Sequence, residues 1–456
     1  IYLPEGSYRE MTEWALPVSR QLEVNHLAHD MEADPRWQSL SEYLRGGYWR
    51  NFKVKYPETD EMYCRMMMVS QRLQAARESG LSDEVLAPAR RELYRGQCNC
   101  SYWHGAFGGI YLPHLRNAVF SQLIEAENHL ESVLEQRQDW VEANADDYNF
   151  DGHTEIRLAS DQLVAWFEPQ AGGRMYELDV RSIQHNLLAT MARRPESYHE
   201  KVKQGESLAD ADCASIHDRV VFKQAGLQDR LQYDSDLKKS LVDHFFDNDT
   251  HLGDLIDGTA VERGDFAQGS YSAKIRRGPQ KTQIQLHRHG NAWGIPLSIT
   301  KGVTLAAGSN ELEIAYLVEN LPLNRDFHFG VELNFSGLPA GADDRFFHQS
   351  SKGNLGQLGE TLDLAEVSDL SLMDEWLGID VQWSSNQSTH VWAYPVSCVS
   401  QSEGGFELVH QSVVVMPHWW IRGDSEGKWS CVMRLKLDTQ RADDRSLTVT
   451  AGSQEV

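Results

Sequence analysis

The hydrophobic pattern of this 456-residue chain changes its period near Asn144, and that change constrains the fold more than any other feature. Upstream, apolar residues recur every three to four positions, as on one face of an α-helix. The run from Met62 to Leu73 is an example. Downstream, apolar and polar residues alternate with a period of two, which is typical of half-buried strands. We therefore predict a helical domain over residues 1–143 and a β-sheet domain over residues 144–456.

Individual segments predict where single helices and strands begin and end in each domain. Pro113 is placed to begin a long helix, and Gly96 is placed to end an earlier one. The clearest strand is predicted at residues 327–335, where phenylalanine, valine and leucine alternate with other residues. Many strands joined by short Gly, Asn and Asp turns favour a sandwich or a barrel. Further strands are predicted at residues 283–287, 312–318, 431–437 and 446–450.

Composition narrows the class of partner. The formal net charge is −24 at pH 7, and no basic stripe is present, which disfavours nucleic acid as a partner. No apolar run approaches the ~20 residues that a membrane-spanning helix needs, so we expect no membrane partner. The six cysteines do not form the pattern of a disulfide scaffold. A reducing compartment fits this usage best, and we predict a cytoplasmic location.

The segment 97–116, with the sequence QCNCSYWHGAFGGIYLPHLR, groups aromatic side chains around a glycine-rich turn. Aromatic rings can stack on the C–H faces of a sugar, while Asn and His side chains can reach its hydroxyl groups. A buried aromatic hinge between two helices explains the same residues at least as well, because aromatic side chains are mostly core residues. The segment is therefore either a sugar site or a structural turn.

The predicted domain boundary carries a candidate calcium loop. Asp147, Asn149 and Asp151 alternate along the chain and are followed by Gly152 and Glu155. Oxygen ligands around a glycine resemble the first half of a calcium-binding loop, although the glutamate comes too early for the full pattern. An Asx-rich turn that leads into the first strand is the alternative. We predict that no cofactor is required, with calcium as the candidate ligand of the first three residues.

The segment 97–116 resembles a characteristic region of family 57 glycoside hydrolases, in their 4-α-glucanotransferase and α-amylase branch. The sequences RGGYWRNF at 45–52 and KYPE at 55–58 resemble the helical region that follows the catalytic barrel of that family. Residues 2–17 resemble the exit of the barrel. Further stretches resemble the C-terminal β-sandwich of these enzymes, in the same order along the chain: residues 193–199, 214–217, 243–245, 264–266, 329–334 and 400–404.

This resemblance implies a fold and a mechanism. The implied fold is a helical cap followed by a large antiparallel β-sandwich of the galactose-mutarotase-like type. The implied reaction is retaining cleavage of α-glucan bonds by two carboxylates, a nucleophile and a general acid that later activates the acceptor. In the family both carboxylates lie on the barrel, upstream of the region that matches Ile1. We therefore expect missing residues upstream, no catalytic residue within this chain, and no activity of the chain alone.

The resemblance also implies which residues contact substrate. Trp103 matches a position that contacts sugar in the cleft of the family, where its ring could stack on glucose. His104 is adjacent and either hydrogen-bonds the sugar or supports the loop. Cys100 stands where some relatives carry an acidic residue, and a thiol does not accept sugar hydroxyls as a carboxylate does. Trp49, within residues 45–52, either forms part of the cleft wall or packs the helical cap.

Three functions remain open from the sequence. The first is the C-terminal part of a 4-α-glucanotransferase or α-amylase that supplies one wall of the substrate cleft. The second is a module that binds α-1,4-glucan, maltooligosaccharide or its own catalytic half without turnover. The third is a structural module that stabilises the barrel or a homo-oligomer. In each case we predict an α-glucan or another copy of the chain as the partner, rather than nucleic acid or a membrane.

Overall fold

The computed structural model describes residues 9–41, 43–44, 46–105, 108–134, 138–204, 221–402 and 404–445. Helices dominate up to residue 134 and antiparallel strands follow from residue 141, which confirms the predicted order of helical region and β-region. The first strand begins slightly before the predicted boundary between residues 143 and 144. Of the helices in these described ranges, none has both the length and the apolar character that crossing a bilayer requires.

Two long helices form the frame of the helical region, and each begins at a proline. Proline suits the first turn of a helix because the N–H that it lacks would have no partner there. Pro113 begins its helix as predicted, and Gly96 follows the end of the preceding one. The α-helices in the described residues are α1 (Arg9–Trp14), α2 (Val18–Met31), α3 (Trp37–Leu40), α4 (Trp49–Lys55), α5 (Pro57–Glu78), α6 (Ala87–Arg95), α7 (Pro113–Leu134), α8 (His199–Gln204) and α9 (Leu252–Ile256).

A five-stranded antiparallel sheet follows α7 directly, and its strands pair in chain order. It lies next to the helices, so side chains on its outer face can contact α5 and α7. Its strands are β1 (Val141–Asp146), β2 (Glu155–Ser160), β3 (Leu163–Glu168), β4 (Arg174–Val180) and β5 (His185–Asn186).

A second, twelve-stranded antiparallel sheet makes up the rest of the β-region. Its strands are β6 (Val242–Phe246), β7 (Ser272–Arg277), β8 (Lys281–Ala292), β9 (Ile295–Ala306), β10 (Glu311–Glu319), β11 (Phe327–Ser336), β12 (Arg345–Gln349), β13 (Gly353–Gln357), β14 (Leu362–Asp374), β15 (Ile379–Ser402), β16 (Gly405–Ile421) and β17 (Lys428–Asp438). The order is β13-β12-β14-β15-β17-β10-β9-β8-β7, and a branch continues from β15 through β16 and β11 to β6. The long strand β15 therefore belongs to both arms of the sheet.

One apolar core joins the two sheets. Leu158 and Phe167 from the first sheet belong to the same buried cluster as Ile314, Phe329 and Val381 from the second. This packing is that of a sandwich, in which the inner faces of two sheets interdigitate. The apolar core is therefore continuous between the two sheets.

The predicted strands are confirmed wherever they fall within the described residues. Residues 283–287 lie in β8, residues 312–318 in β10 and residues 431–437 in β17, whereas residues 446–450 lie outside the described part of the chain. β11 departs from the expected alternation of burial, because all of its residues are buried. It is an internal strand between β6 and β16, and surrounding segments cover both of its faces.

Buried ion pairs connect the helical region to the first sheet. The guanidinium of Arg65 on α5 contacts Glu177 at 2.7 Å and Asp179 at 3.1 Å, both on β4, and Glu127 on α7 at 2.5 Å. All four side chains are buried. The α-helices and the sandwich thus share charged partners at their contact, which fixes the helical region against the sheet.

Candidate substrate-binding site

The glycine-rich segment between α6 and α7 folds into a tight turn. One 3₁₀ helix spans Asn99–Tyr102 and another spans Gly109–Tyr111. The amide of Ile110 donates a hydrogen bond to the carbonyl of Trp103 over 2.7 Å. Gly109 has a φ of 52°, and a Cβ atom there would lie 1.8 Å from that same carbonyl oxygen. Only glycine fits at this crossing of the backbone at Gly109 over the backbone at Trp103. The close contact fixes the backbone position of Trp103.

Trp49 and Trp103 form a half-buried aromatic surface beside this turn. Their ring centroids are 4.9 Å apart and their planes are tilted by 49°. Phe52, which is fully buried, packs against Trp49 at 5.9 Å and against Trp103 at 4.8 Å. The indole N–H of Trp103 donates to Oδ1 of Asn99 over 2.9 Å. The structure therefore brings two of the predicted contact residues together and supports their rings from within.

Cys100 lies on the first 3₁₀ helix, next to Asn99, and is exposed. The thiol is only a weak donor and acceptor, so any contact with a hydroxyl group would be weaker than that of a carboxylate. Substrate contact by Cys100 stays a prediction.

His104 points into the protein, away from the surface that carries its neighbour Trp103. It is 1% exposed, and its Nδ1 lies 2.9 Å from the carbonyl of Gly108, which fixes the tautomer with the proton on Nδ1. The rings of Trp14 and Tyr111 pack around it at 4.4 Å and 4.5 Å. Burial lowers the pKa of His104 to about 4, so the ring is neutral at physiological pH. This geometry favours the loop-supporting role; a sugar contact by His104 stays a prediction.

A buried carboxylate, Glu196, lies at the centre of this interior cluster. It accepts hydrogen bonds from the hydroxyl groups of Tyr56 at 2.7 Å and Tyr111 at 2.8 Å. Nζ of Lys55 lies 3.1 Å from its other oxygen. Burial alone would raise the pKa of Glu196, but Lys55 and the hydrogen bonds from the two hydroxyl groups outweigh it and lower the pKa. Sequence reasoning did not single out this residue, although it lies within the family-like stretch 193–199.

Comparison with known proteins identifies relatives for nearly the whole chain. A family profile described as alpha-amylase/4-alpha-glucanotransferase, C-terminal, matches residues 147–433, and one for the middle domain of the same enzymes matches residues 47–130. The chain is a member of the alpha-amylase/4-alpha-glucanotransferase family. The Trp103 turn and α5 both fall within the middle-domain match.

Individual relatives of this family agree with the profiles. Alpha-amylase 1 of Dictyoglomus thermophilum is 31% identical over 95% of this chain and 61% of its own length. The 4-alpha-glucanotransferase of Thermococcus kodakarensis is 30% identical over 91% of this chain and 56% of its own. A crystal structure of 4-alpha-glucanotransferase from Thermococcus litoralis superposes with a TM-score of 0.75 at 27% identity, over 95% of this chain and 58% of that one. The chain thus spans about three-fifths of the length of these relatives.

In this family member, the candidate calcium residues lie in one turn between β1 and β2. Both carboxylate oxygens of Asp147 accept backbone N–H groups, from Asp151 at 3.0 Å and from Gly152 at 3.0 Å. Oδ1 of Asn149 accepts the amide of Asp151 at 3.1 Å. This is the pattern of an Asx turn, in which the side chains stabilise the loop backbone. Across the described ranges, no group of three His, Cys, Asp or Glu side chains is arranged to hold a metal. Calcium binding here stays a prediction.

Proposed function

We propose that this chain is the C-terminal part of a retaining α-glucan-acting enzyme of glycoside hydrolase family 57, and that it supplies one wall of the substrate cleft. The relatives named alpha-amylase and 4-alpha-glucanotransferase support an α-glucan as the substrate class. The two reacting carboxylates belong to sequence outside this chain. The role of the present residues is to bind and orient the glucan.

The half-buried aromatic surface formed by Trp49 and Trp103 carries this proposal. An indole face presents a large apolar area that fits the C–H face of a glucose ring. Stacking of this kind accepts any glucose unit along a chain, because it does not depend on particular hydroxyl groups. Phe52 and the Gly109 crossing hold Trp103 rigidly, so little conformational entropy is lost on binding.

Electrostatics support a binding role for this surface. His104, behind the aromatic pair, is neutral, and Glu196 is already hydrogen-bonded by two tyrosines and paired with Lys55. None of these groups is positioned as an exposed acid or base beside the Trp103 ring. The surface can therefore fix a glucan in place while the bond-breaking groups act from the opposite wall.

Binding of maltoheptaose to the purified chain, followed by calorimetry, tests this role. We expect Trp103→Ala to weaken binding by about tenfold or more, because the stacked ring supplies most of the contact area. Trp376→Ala is the matched control, since Trp376 is 73% exposed on the sandwich and should leave binding unchanged. Equal affinity of Trp103→Ala and the unmodified chain would overturn the assignment of the cleft wall.

The non-catalytic module is the second candidate, and turnover separates it from the first. For the isolated 456-residue chain we expect no release or transfer of glucose units from maltooligosaccharides. When the chain is joined to the barrel of its parent enzyme, activity should be present and should depend on Trp103. Full activity of the joined enzyme with Trp103→Ala would favour the module instead.

A further inference from the structure

A cavity of about 480 Å³ opens on the sandwich, away from the aromatic surface of the helical region. It lies where β6, β11 and β15 meet the segment 233–238 and the loop after α9. Its volume is within the roughly 300–1,000 Å³ that is usual for small-ligand sites. None of the sugar-contact residues predicted from the sequence lines it.

Each cation that lines this cavity faces a carboxylate. The guanidinium of Arg193 contacts Asp234 at 2.8 Å. Glu332 is 6% exposed and lies 3.5 Å from Nζ of Lys238 and 3.4 Å from Nε2 of His244. Carboxylates nevertheless outnumber cations in the lining, because it also contains Asp236, Glu262 and Asp265. An anionic ligand would find no unpaired cation here and would meet an excess of negative charge.

His244 is held as a cation within this network. Its Nδ1 lies 2.7 Å from Glu262 Oε2, opposite the contact with Glu332. Burial alone would lower the pKa of His244, but the hydrogen bond to Glu262 and the nearby charge of Glu332 outweigh it and raise the pKa to about 10. Both ring nitrogens therefore carry protons near neutral pH, and the pattern of donors and acceptors in the cavity is fixed.

Hydrogen-bonding capacity remains beside an apolar wall. Tyr394 is 3% exposed and lines the cavity, and its hydroxyl group makes no hydrogen bond to any residue in the described ranges. The apolar part of the lining includes Phe246 from β6 and Leu255 and Ala260 around α9, which belong to the same hydrophobic cluster as Tyr394. A ligand hydroxyl group could replace water as the partner of this group, and Nε2 of His244, which is buried without a hydrogen-bond partner, offers a donor.

We propose that this cavity is a second binding site, which takes a neutral polyhydroxylated ligand such as a glucose unit or the end of a glucan. Its fixed donors and acceptors match hydroxyl groups, which act as both. Its aromatic and aliphatic wall matches the C–H face of a sugar ring. The lining cations are already paired and carboxylates are in excess, so an anion is disfavoured and acceptors are available for the hydroxyl groups of a neutral ligand. This site is separate from the Trp103 surface and does not depend on that surface being a cleft wall.

Calorimetric titration of the purified chain with glucose and maltose tests this site, with Trp103→Ala as the background that removes the first surface. In that background we expect maltose still to bind. Tyr394→Phe, which deletes only the hydroxyl group, should then weaken binding about five- to tenfold. Ala260→Trp, which fills the cavity from an accessible loop, should abolish binding. Trp376→Ala on the far surface is the control and should leave it unchanged.

The outcomes separate this proposal from the proposed cleft wall. Loss of all maltose binding in Trp103→Ala, with Tyr394→Phe and Ala260→Trp binding as well as the unmodified chain, would overturn the second site and leave the first intact. Maltose binding that Trp103→Ala leaves unchanged but Ala260→Trp abolishes would support the second site alone. Glucose 6-phosphate and inorganic phosphate test the class of ligand. Tighter binding of either than of glucose, lost in Ala260→Trp, would overturn the assignment of a neutral ligand.

Discussion

His104 in the helical region and His244 in the sandwich are both largely buried, yet their surroundings drive their pKa values in opposite directions. His104 lies among aromatic rings with one backbone carbonyl as its hydrogen-bond partner, and burial lowers its pKa to about 4. His244 lies between Glu262, which hydrogen-bonds it, and Glu332, and these two carboxylates outweigh burial and raise its pKa to about 10. The same side chain is therefore neutral in one region and cationic in the other.

This difference shows how each region is built. Around Trp103 the interior is made of packed rings, so the exposed surface is rigid and apolar and suits stacking. Around Glu332 the interior is a network of opposite charges, so the cavity presents fixed hydrogen-bonding groups. Removal of one member should cost most in the network, because the remaining charges stay buried without a partner.

The largest effect is expected for Glu332→Gln. This change removes the carboxylate that faces both Lys238 and His244, and it leaves two buried cations with one counter-charge fewer. We expect the free energy of unfolding to fall by about 3–5 kcal/mol at pH 7. Urea denaturation, monitored by circular dichroism, measures this free energy of unfolding.

Glu313→Gln is the matched control for that measurement. Glu313 makes an ion pair with Arg434 at 3.3 Å on β10, but its side chain is 46% exposed. The same chemical change there should alter the free energy of unfolding by less than about 0.5 kcal/mol. Equal effects of the two variants would show that the Glu332 network is solvated and carries no special stability.

A smaller effect is expected from the titration of His104. Its pKa is about 4 in the folded protein, against an ordinary pKa of 6.5 in the unfolded chain. Because the folded-state pKa is lowered, its contribution to stability is complete above pH 6.5 and is lost as the pH falls towards 4. The free energy of unfolding of the unmodified chain, relative to His104→Asn, should therefore drop by about 3 kcal/mol between pH 7 and pH 4.

The same experiment with His244→Gln should show the opposite dependence of the free energy of unfolding on pH. The folded-state pKa of His244 is raised, so its contribution is complete below pH 6.5 and is lost as the pH rises towards 10. Relative to His244→Gln, the unmodified chain should lose stability on the alkaline side. For His104, the opposing result is a free energy of unfolding of the unmodified chain, relative to His104→Asn, that stays constant from pH 7 to pH 4. That result would contradict the burial of the His104 ring.

The features that sequence reasoning predicted are those with a local cause. Pro113 begins α7 because the preference of proline for a first turn needs no distant partner. The strand at residues 327–335 follows from its own alternation, since a period of two places its apolar side chains on one face. The fact that its polar face is also buried depends on β6, β16 and the segments around them, so alternation alone could not indicate it.

The candidate sites depend on contacts between distant residues, and this limits what the sequence could indicate. Trp49 and Trp103 were identified through the family resemblance, because residues 54 positions apart have no shared local pattern. The role of Glu196 depends on two residues far away in the sequence. Lys55 at the end of α4 pairs with its carboxylate, and Tyr56, the next residue, donates a hydrogen bond to it. The Glu332 cavity assembles residues from several strands and loops, and no motif marks it. Charge pairs between residues that lie far apart in the sequence form only in the tertiary structure, so the sequence alone does not indicate them.

The smallest effect is expected at Asn99, the residue that orients the Trp103 ring. Asn99→Ala removes the acceptor of the indole N–H at 2.9 Å and leaves the ring itself in place. We expect maltoheptaose binding to weaken about two- to fivefold, which corresponds to the loss of one solvent-accessible hydrogen bond. Asn386→Ala removes a comparable exposed amide on the sandwich, where Oδ1 accepts the amide of Val432 at 2.9 Å, and it should leave binding unchanged. A loss for Asn99→Ala as large as that for Trp103→Ala would mean that Asn99 hydrogen-bonds the sugar directly, and the surface would then select hydroxyl positions as well as stack.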